Sequence, residues 1–389
     1  MKIVGYRSHL AQHEWGRRIG DVNYTSTATR TPVPVLVLLT DEGIEGVGIG
    51  AHEDIERIFP ALDGEDPRSV VALYDRMCRY SFKLGHQGAV ATTIGALDMA
   101  LWDIKAKSAG EPLWRLLGGR DRFVPGYASA LDAPLDDDAL VAVHEEFAAR
   151  GFSAVKLKGG RHLDRDLQRL RLVRDVYRSG GAEPALMLDA NEVWHRSQAV
   201  RYIARLEQEL DLTWIEEPVR RWDAAGLAAV RHGVRAGVAS GENLTGLEQF
   251  APLFAADALD VVQVGWGWGT TLALRVAAAA HSRDLPISPI GFTPAITPAA
   301  TAMPNMLTIE VQDLAFPLGL HVDQTIADGG FVLGDAPGNG ISLDEPALAA
   351  LAQDPLSRAA ADVQVRPGRA GLRVTAEDDR SEDRPPRLP

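Results

Sequence analysis

Three acidic residues stand at the ends of short apolar runs in the middle of the sequence. They are Asp189 in LMLDAN, Glu216 in WIEEP and Glu242 in SGEN, and they are 27 and 26 residues apart. One strand–helix–strand unit has about this length, so the spacing predicts acids at the carboxyl ends of consecutive parallel strands. At about 4 Å, each pair of carboxylates repels by roughly 4 kcal/mol at an effective dielectric constant near 20. A divalent cation removes that repulsion, and oxygen-only ligands favour hard cations, Mg2+ first.

Two lysines share one face of an earlier apolar run. Lys156 and Lys158 stand in AVKLKGG, and residues i and i+2 of a strand point to the same side. If the parallel strands close into a β/α barrel, both ammonium groups are expected to point into its mouth. Lysines at a strand end also occur as solvated surface groups. A neighbouring cation and a metal ion both disfavour protonation, so the pKa of one lysine is expected to fall toward the working pH. Such a lysine would be a general base.

A base beside a divalent cation indicates a reaction class. A carboxylate substrate bound to Mg2+ has its negative charge neutralised, so that an amine can remove the α-proton. The enediolate that results is held by the cation and by nearby hydrogen-bond donors. The residues therefore predict a small-molecule carboxylate substrate and proton abstraction next to its carboxylate.

Eight apolar runs alternate with mostly helical segments after about residue 122. The runs lie near 123–128, 152–158, 185–190, 212–216, 236–241, 259–264, 285–290 and 306–311. Eight strands are the number of a closed β/α barrel, and their near-continuous apolar character is typical of strands buried on both faces. A doubly wound sheet is the alternative, but it accounts less well for acids at the ends of three successive strands.

The residues on either side of the barrel have a different pattern. The run VPVLVLLTDEGIEGVGIG predicts a β-hairpin that turns at Asp41–Gly43, and residues 89–110 have helical spacing. We therefore predict a small α+β domain followed by the barrel, a returning segment and a flexible tail, over 1–121, 122–311, 312–373 and 374–389.

Composition excludes several classes of protein. The net charge of −13 over 389 residues argues against nucleic-acid and anionic-membrane partners. The single cysteine, Cys78, excludes an internal disulfide and is interpreted as a buried structural thiol. The sequence has neither the apolar core of a signal peptide at its start nor an apolar stretch of about 18 residues. We expect a soluble, cytoplasmic protein.

Several motifs together resemble those of one known family. They are TDEGIEGVG, ALDMALWDIKAKSAGEPLWRLLGG (96–119), KLK, LDAN, WIEEP, SGEN and PGNGISLDE, and they cover nearly the whole chain. The chain is similar to the mandelate racemase subgroup of the enolase superfamily, which GEN after the fifth strand favours over the muconate cycloisomerase subgroup. The resemblance implies an α/β fold, in which an N-terminal α+β capping domain, completed by C-terminal residues, covers a modified (β/α)7β barrel of the TIM type. It also implies a homo-oligomer.

The same resemblance assigns roles to particular residues. It implies that Mg2+ binds to Asp189, Glu216 and Glu242. Lys158 would be the base, and Lys156 would tune it or contact the substrate carboxylate. Asn191 would lie behind the metal ligands or beside the substrate. Glu310, in LTIEVQ, would donate a hydrogen bond to the enediolate oxygen.

One departure from the subgroup pattern concerns the second base. In the subgroup a histidine after the seventh strand is held by an aspartate after the sixth. Asp260, in ALDVVQVGWG, is assigned to the aspartate position, either with a retained polar role or as a cap of the strand end. Ile290 stands where the histidine is expected, and residues 282–320 contain no histidine. Gln263 stands where muconate-type enzymes would have a lysine, so neither familiar base of the opposite face is present.

Three functions remain open on the sequence. Racemisation by 1,1-proton transfer needs two bases, so a single base favours a Mg2+-dependent dehydratase of a sugar acid or related hydroxy acid. The tryptophans of GWGWG, Trp266 and Trp268, instead favour an isomerase (racemase, epimerase or cycloisomerase) that acts on a non-sugar carboxylate. The third function is a metal-binding homologue without catalysis.

The irregular polar stretch that contains Trp15 is open to two interpretations. It could be a surface loop or a lid over a site elsewhere. Arg17 or Arg18 within it could bind a distal carboxylate, or both could be solvated surface arginines.

Overall fold

The computed structural model describes residues 1–26, 28–85, 87–181 and 183–353, and the backbone alone of 361–363. The described chain begins with an antiparallel sheet of three strands, Ile3–Glu14, Arg30–Thr40 and Glu45–Ile49, with the second in the centre. The last two strands form the predicted hairpin. Gly43 in its turn has a φ of 77°, a conformation that favours glycine.

Helices cover this first sheet. They span Ile55–Ile58, Val70–Tyr80, Ala89–Ala109 and Leu113–Leu116. The helix Ala89–Ala109 is buried along most of its length because it packs on the sheet and also on the barrel. It ends at Gly110, whose left-handed conformation closes the last turn, in agreement with the predicted range 89–110.

Eight parallel strands form a closed barrel. They are Phe123–Ala128, Ala154–Lys158, Ala185–Asp189, Leu212–Glu216, Gly237–Ser240, Val261–Gly265, Ile287–Ile290 and Ile309–Val311. Each of the first six pairs with the next one along the chain, and the eighth pairs with the first. The seventh strand is joined to residues 305–307, just before the eighth strand, by an isolated bridge between Ile287 and Met306. The N–H of Ile287 donates to the carbonyl of Asn305 and the N–H of Leu307 to the carbonyl of Ile287, both at 2.9 Å. The ring is therefore closed, which confirms the barrel over the doubly wound sheet.

Helices follow the strands on the outside of the barrel. The first six connections contain Asp137–Ala149, Leu163–Ser179, Arg196–Leu206, Ala224–Gly233, Leu247–Ala255 and Thr270–His281. The seventh contains only the short helix Thr297–Ala300, after a 3-10 turn at Thr293–Ala295. The arrangement is the (β/α)7β barrel that the resemblance implies.

A layer of side chains fills the barrel below its mouth. It consists of Tyr127, Met187, Trp214, Ala239 and Val261, all buried and each from a different strand. The rings of Tyr127 and Trp214 meet edge to face, with centroids 5.5 Å apart. The barrel therefore has a packed floor, and chemistry is confined to the carboxyl ends of the strands.

The chain after the barrel returns to the first domain. Two short antiparallel pairs follow the barrel. One joins Leu320–Val322 to Ile341–Leu343, and the other joins Gln324–Ala327 to Gly330–Leu333, which also pairs with the first barrel strand. The helix Glu345–Leu351 comes last.

A small sheet lies near the mouth of the barrel. In it Tyr24–Ser26 pairs with Ile19–Gly20 and with the backbone of Ala361–Val363. We call residues 15–26 the lid, because the N–H of Gly20 donates to the carbonyl of Leu131 above the barrel mouth, at 2.8 Å.

The domain boundaries at residues 121, 311 and 373 stay a prediction, and the tail 374–389 lies outside the described residues. Among the described helices, none is both long and apolar enough to cross a membrane.

Candidate active site

The three acids of the spacing argument converge at the mouth of the barrel. Asp189 and Glu216 are the last residues of the third and fourth strands and lie side by side in the parallel ladder. Glu242 follows the fifth strand by two residues. One carboxylate oxygen from each lies within 4.8 Å of the others. This donor set contains only carboxylate oxygens, so it fits a hard divalent cation such as Mg2+.

Burial makes these carboxylates costly to ionise together. Burial and the negative charge of Asp189 together raise the pKa of Glu216 to about 8 and that of Glu242 to about 7, although Lys156 and Lys158 lower both values. Burial also raises the pKa of Asp189, but Lys158 and Lys156 outweigh it and the net shift is downward. A divalent cation would add positive charge beside Glu216 and Glu242 and so favour their ionised forms.

Amide side chains orient the carboxylates from behind. The Nδ2 of Asn243 donates to Oε1 of Glu242 at 2.8 Å and to Oε1 of Glu217 at 2.9 Å. Asn191 donates to Asp189 twice, from its backbone N–H at 2.8 Å and from Nδ2 at 2.9 Å. The backbone carbonyl of Asn191 accepts a hydrogen bond from Nδ2 of Asn23 in the lid, at 2.8 Å. Asn191 thus joins a metal-ligand candidate to the lid.

The two lysines point into the same cluster. The Nζ of Lys158 lies 2.5 Å from Oδ2 of Asp189. The Nζ of Lys156 lies 2.5 Å from Oε1 of Glu216 and 3.0 Å from Oε1 of Glu310. Lys156 is fully buried, whereas Lys158 keeps 6% of its surface exposed and lines a cavity of about 330 Å3.

The lysine pKa values move in the direction opposite to the sequence argument. Burial lowers the pKa of both lysines, as expected, but the carboxylates around them outweigh burial and raise both values. For Lys158, Asp189 makes the largest contribution among those that raise the pKa. The expected fall in pKa depends on a metal ion bound to Asp189 and Glu216, so it stays a prediction for the metal-bound site.

Glu310 lies at the centre of the eighth strand and is held by donors on its far side. The backbone N–H of Gly291 donates to its Oε2 at 2.7 Å, and Nε2 of Gln312 donates to the same oxygen at 3.0 Å. Burial raises the pKa of Glu310, but the charges of Lys156 and Lys158 outweigh it and the net shift is downward. Glu310 is thus a carboxylate here, whereas the donor role implied by the resemblance needs a proton on it.

Asp260 does not lie in the site, which corrects its assignment as a catalytic residue. It precedes the sixth strand, Val261–Gly265, at the end remote from the acids. Its carboxylate accepts from Nε of Arg231 at 2.8 Å and from the N–H of Val238 at 2.9 Å. The carboxyl end of this strand is Gly265, so the sixth strand brings no carboxylate to the mouth of the barrel.

Ile290 and Gln263 stand where related enzymes have a base on the side of the site opposite Lys158. Ile290 ends the seventh strand and is 96% buried, so that this position presents an apolar side chain. Gln263 does reach the site, because its Nε2 donates to Oε2 of Glu216 at 2.5 Å. Gln263 therefore contacts a candidate metal ligand, Glu216, and is not a base.

Asp132 is a functional candidate that the sequence reasoning missed. Its Oδ1 accepts from the backbone N–H of Lys158 at 3.1 Å and from Nη2 of Arg169 at 2.9 Å. Asp132 thereby fixes the chain at the candidate base. It is an acid a few residues after the first strand, so the rule that found the other three acids could also have found it.

The tryptophans after the sixth strand lie at the edge of the site. The Nε1 of Trp268 donates to the carbonyl of Glu242 at 2.6 Å, and the ring of Trp266 meets that of Phe292 edge to face at 5.7 Å. Trp266 and Phe292 also line an apolar cavity of about 200 Å3 between the capping domain and the barrel.

Two known families match the sequence. Residues 139–347 match the family described as enolase C-terminal domain-like, and residues 11–118 match the mandelate racemase / muconate lactonizing enzyme N-terminal domain. The capped (β/α)7β barrel with carboxylates on three consecutive strands agrees with both. The chain belongs to the enolase superfamily, among its mandelate racemase/muconate lactonizing enzyme-like members.

Characterised relatives include two kinds of enzyme. The chain is 33% identical over 297 residues to a 3,6-anhydro-alpha-L-galactonate cycloisomerase from Streptomyces coelicolor, which covers 75% of this chain and 80% of the relative. It is also 33% identical over 276 residues to an L-talarate/galactarate dehydratase from Salmonella typhimurium, which covers 66% of this chain and 67% of the relative. One relative is an isomerase and the other a lyase.

Solved structures of similar proteins contain magnesium. A racemase from Streptomyces coelicolor with bound magnesium superposes with a TM-score of 0.81 at 28% identity, over 90% of this chain and 99% of that one. The L-talarate/galactarate dehydratase from Salmonella typhimurium, liganded with Mg and L-lyxarohydroxamate, superposes with a TM-score of 0.78 at 26% identity, over 89% and 92%.

Proposed function

We propose that this chain is a Mg2+-dependent lyase that removes the α-proton of a sugar acid or related hydroxy acid and eliminates water. The observation that carries the proposal is the meeting of two buried lysines with three carboxylates at one end of the barrel, of which Asp189 and Glu216 are buried and Glu242 is half-buried. The magnesium-bound relatives and the dehydratases among them support it. Asp189, Glu216 and Glu242 would hold the ion.

The surroundings of each group suggest its role. Lys158 lines the cavity of about 330 Å3, so it can meet a substrate and take its α-proton. Lys156 is enclosed between Glu216 and Glu310, so its positive charge is suited to tuning the proton affinity of Lys158 and of these carboxylates. When bound, Mg2+ would neutralise the substrate carboxylate and so lower the cost of removing the α-proton.

Elimination of water needs only one lysine, because the proton that Lys158 removes can be returned to the leaving hydroxyl. The α C–H bond breaks and its proton passes to Lys158; the electron pair forms the bond between the α- and β-carbons as the β-hydroxyl leaves. Lys158 returns the proton to the departing hydroxyl, which leaves as water, and the enol becomes a 2-keto acid. Ile290 supports this choice over racemisation, because an apolar side chain cannot deliver a proton to the opposite face.

The test is incubation of the purified protein with Mg2+ and a library of acid sugars and hydroxy acids in heavy water, followed by mass spectrometry and NMR. We expect one acid to give a 2-keto product that is one water lighter, and Lys158→Ala to abolish it. Lys83→Ala, which changes an exposed lysine of the capping domain, is the matched control and should be fully active. If no acid loses water or exchanges its α-proton, the proposal is wrong and the metal-binding homologue without catalysis takes its place.

The apolar cavity favours a second candidate function. Its aromatic lining, which includes Trp15, Trp266 and Phe292, suits a substrate with an apolar face, and cycloisomerases and epimerases occur among the relatives. This candidate is an isomerase (racemase, epimerase or cycloisomerase) of a non-sugar carboxylate. Deuterium uptake at the α-carbon without loss of water would favour it over the lyase.

We also propose that the protein is a cytoplasmic homo-oligomer. Four large apolar side chains of the capping domain are strongly exposed, namely Val71, Tyr80, Phe82 and Leu84. Burial of such a group between subunits is a common reason for its exposure in a single chain. Light scattering after size exclusion should give a multiple of 42.0 kDa, and Phe82→Glu should reduce that multiple.

A further inference from the structure

The backbone leaves the barrel sheet directly after the candidate base. The pairing of the second strand with the third ends at Lys158 and Asp189, and the N–H of Gly159 still donates to the carbonyl of Asp189 at 3.0 Å. On the other side, the pairing with the first strand ends earlier, at Val155. The N–H groups of Lys158 and Gly160 lie beyond the ladder on that side and need other acceptors.

Two buried carboxylates are these acceptors, and both are tied to one helix. Asp132 accepts from the N–H of Lys158 at 3.1 Å. Oδ2 of Asp166 accepts from the N–H of Gly160 at 2.5 Å. Asp166 belongs to the first turn of the helix that follows the second strand, and Arg169, three residues further on, donates to Asp132 at 2.9 Å. One helix therefore supports the chain at the base and two residues beyond it.

Asp166 is itself held by the next helix along the chain. Its Oδ2 also accepts from the hydroxyl of Tyr202 at 2.7 Å, and both side chains are buried. Burial raises the pKa of Asp166 to about 6, although the hydrogen bonds from Tyr202 and Gly160 lower it. Asp166 is therefore a carboxylate at neutral pH, and an ionised acceptor makes stronger hydrogen bonds than a neutral one.

Gly160 is fixed at its carbonyl as well as at its N–H. The Nε1 of Trp194 donates to that carbonyl at 2.6 Å, and the ring of Trp194 lies against that of Tyr202, with centroids 4.6 Å apart. Gly160 has a φ of 119°, a conformation that favours glycine. At Gly159, an added Cβ would lie 2.8 Å from the carboxylate of Asp166. The carboxylate therefore lies directly against the backbone that follows the base.

We propose that Asp166 is a positioning residue: through Gly160 it fixes the backbone at Lys158 and so holds the amine within reach of the α-proton. The inference rests on the proposed function, in which Lys158 is the base. A lysine has a long flexible stem, so a fixed backbone limits the positions that its amine can take. A displacement of about 1 Å can cost about 100-fold in rate, and a group that acts only on the base affects kcat rather than substrate binding.

The first measurement needs no substrate. Amide hydrogen exchange is followed by mass spectrometry, with Mg2+ present, in the peptide that contains Lys158 and Gly160. We expect this exchange to be at least about 10-fold faster at Gly160 in Asp166→Ala, because the N–H loses an ionised acceptor. Exchange in the fourth strand, Leu212–Glu216, should stay the same and serves as the internal reference. Tyr202→Phe, which removes the hydroxyl that binds Asp166, should give a smaller increase at Gly160.

The second measurement is steady-state kinetics with Mg2+ and with galactarate, gluconate and galactonate as probes. We expect Asp166→Ala to lower kcat by about 10- to 100-fold and to change KM by less than about 2-fold. Asp166→Asn keeps an oxygen acceptor of the same shape without the charge, so it should recover part of kcat. It also serves if Asp166→Ala fails to fold, which circular dichroism would reveal.

Two control variants separate this role from a general loss of charge or stability. Asp164→Asn changes an exposed acid in the first turn of the same helix and should leave kcat and exchange at Gly160 unchanged. Ile203→Val changes a buried residue beside Tyr202 and should lower Tm without lowering kcat. An equal loss of kcat in either control would overturn the inference.

The proposed function has its own outcome in this experiment. If exchange at Gly160 is faster in Asp166→Ala but the unmodified protein acts on no acid of the library, the anchor stands and the reaction is wrong. If an acid loses water and Asp166→Ala keeps its kcat or changes only KM, the reaction stands and the inference is wrong. Unaltered exchange at Gly160 in Asp166→Ala would overturn the inference whatever the kinetics show.

Discussion

Lys156 and Lys158 are two residues apart on one strand, but their surroundings differ. Lys156 touches Glu216, Glu310 and the hydroxyl of Tyr127, and it is fully buried. Lys158 forms an ion pair with Asp189 and lines a cavity. A group that must meet a substrate and exchange protons needs access, so the geometry favours Lys158 as the base at the scale of single residues.

At the same scale, the raised pKa values of Glu216 and Glu242, about 8 and about 7, predict how metal binding depends on pH. Below these values the folded chain holds protons that an unfolded glutamate releases above about 4.5, so the metal-free fold loses stability as the pH rises through this window. Mg2+ binds the ionised carboxylates and releases those protons. We therefore expect a fixed Mg2+ concentration to raise Tm more at about pH 8.5 than at about pH 6.

Calorimetry checks the same linkage directly. Titration with Mg2+ in two buffers of different ionisation enthalpy should show proton release near pH 7. Glu248→Gln, at an exposed position, should behave as the unmodified protein, whereas Glu242→Gln should release fewer protons and bind Mg2+ more weakly. An equal rise in Tm at both pH values would show that Glu216 and Glu242 do not hold protons in the metal-free fold, and unaltered Mg2+ affinity in Glu242→Gln would show that Glu242 is not a ligand.

The position of Asp260 predicts an effect on stability but not on catalysis. Because its carboxylate binds Arg231 and the N–H of Val238 at the end of the barrel remote from the site, Asp260→Asn should cost about 1 kcal/mol of unfolding free energy. It should leave kcat/KM unchanged. Denaturant unfolding and steady-state kinetics measure the two effects. A large loss of kcat at unaltered stability would restore Asp260 to the catalytic machinery.

The error at Asp260 shows where sequence reasoning loses precision at the scale of elements. All eight barrel strands were predicted from their apolar runs, and the three metal-ligand candidates end or follow theirs as expected. The sixth strand was predicted over 259–264 but spans Val261–Gly265. Apolar runs mark which residues are buried, whereas hydrogen bonds to the neighbouring strands decide where a strand ends. Asp260 stands at the amino end of the predicted range as well, so its assignment to the mouth came from the resemblance and conflicted with the predicted strand bounds.

The contacts of the lid could not be predicted for a related reason. Arg17 and Arg18 are adjacent and alike in sequence, but one is held against Ala130 and the other is exposed. That difference depends on how the capping domain lies on the barrel. No local pattern in the sequence records it.

Close packing between elements in the capping domain gives a further prediction. A Cβ added at Gly48 would lie 1.9 Å from the carbonyl oxygen of Ala96, so Gly48→Ala must push the sheet away from the helix Ala89–Ala109. We expect a loss of about 1–3 kcal/mol or more in unfolding free energy, measured with denaturant. Gly5→Ala is the matched control, because its Cβ would make only an ordinary contact of 3.7 Å with Leu39. Equal stability of the two variants would contradict this account of the packing.

At the scale of the whole molecule, the site depends on the capping domain as well as the barrel. The barrel supplies the acids, the lysines and Glu310, whereas the lid contacts the barrel through Asn23, which donates to Asn191, and through Arg17, which donates to Ala130. The lid can hold these positions only while the capping domain stays fixed on the barrel. The helix Ala89–Ala109, which contacts both the first sheet and the barrel helix Thr270–His281, is the main link between them.

Thr271 is the polar centre of that link and carries the last prediction. Its hydroxyl donates to Oδ1 of Asp98 at 2.5 Å and accepts from Nε1 of Trp102 at 2.9 Å, and both partners belong to the capping helix and are buried. Thr271→Val keeps the shape but leaves both partners without this contact, which should cost about 2–3 kcal/mol. Thr92→Val, which removes only a bond to the helix's own backbone, is the control. We expect calorimetry to show an earlier transition for the capping domain and kinetics to show a lower kcat/KM, because the lid loses its support. A single transition at the original Tm would mean that apolar packing alone couples the two domains.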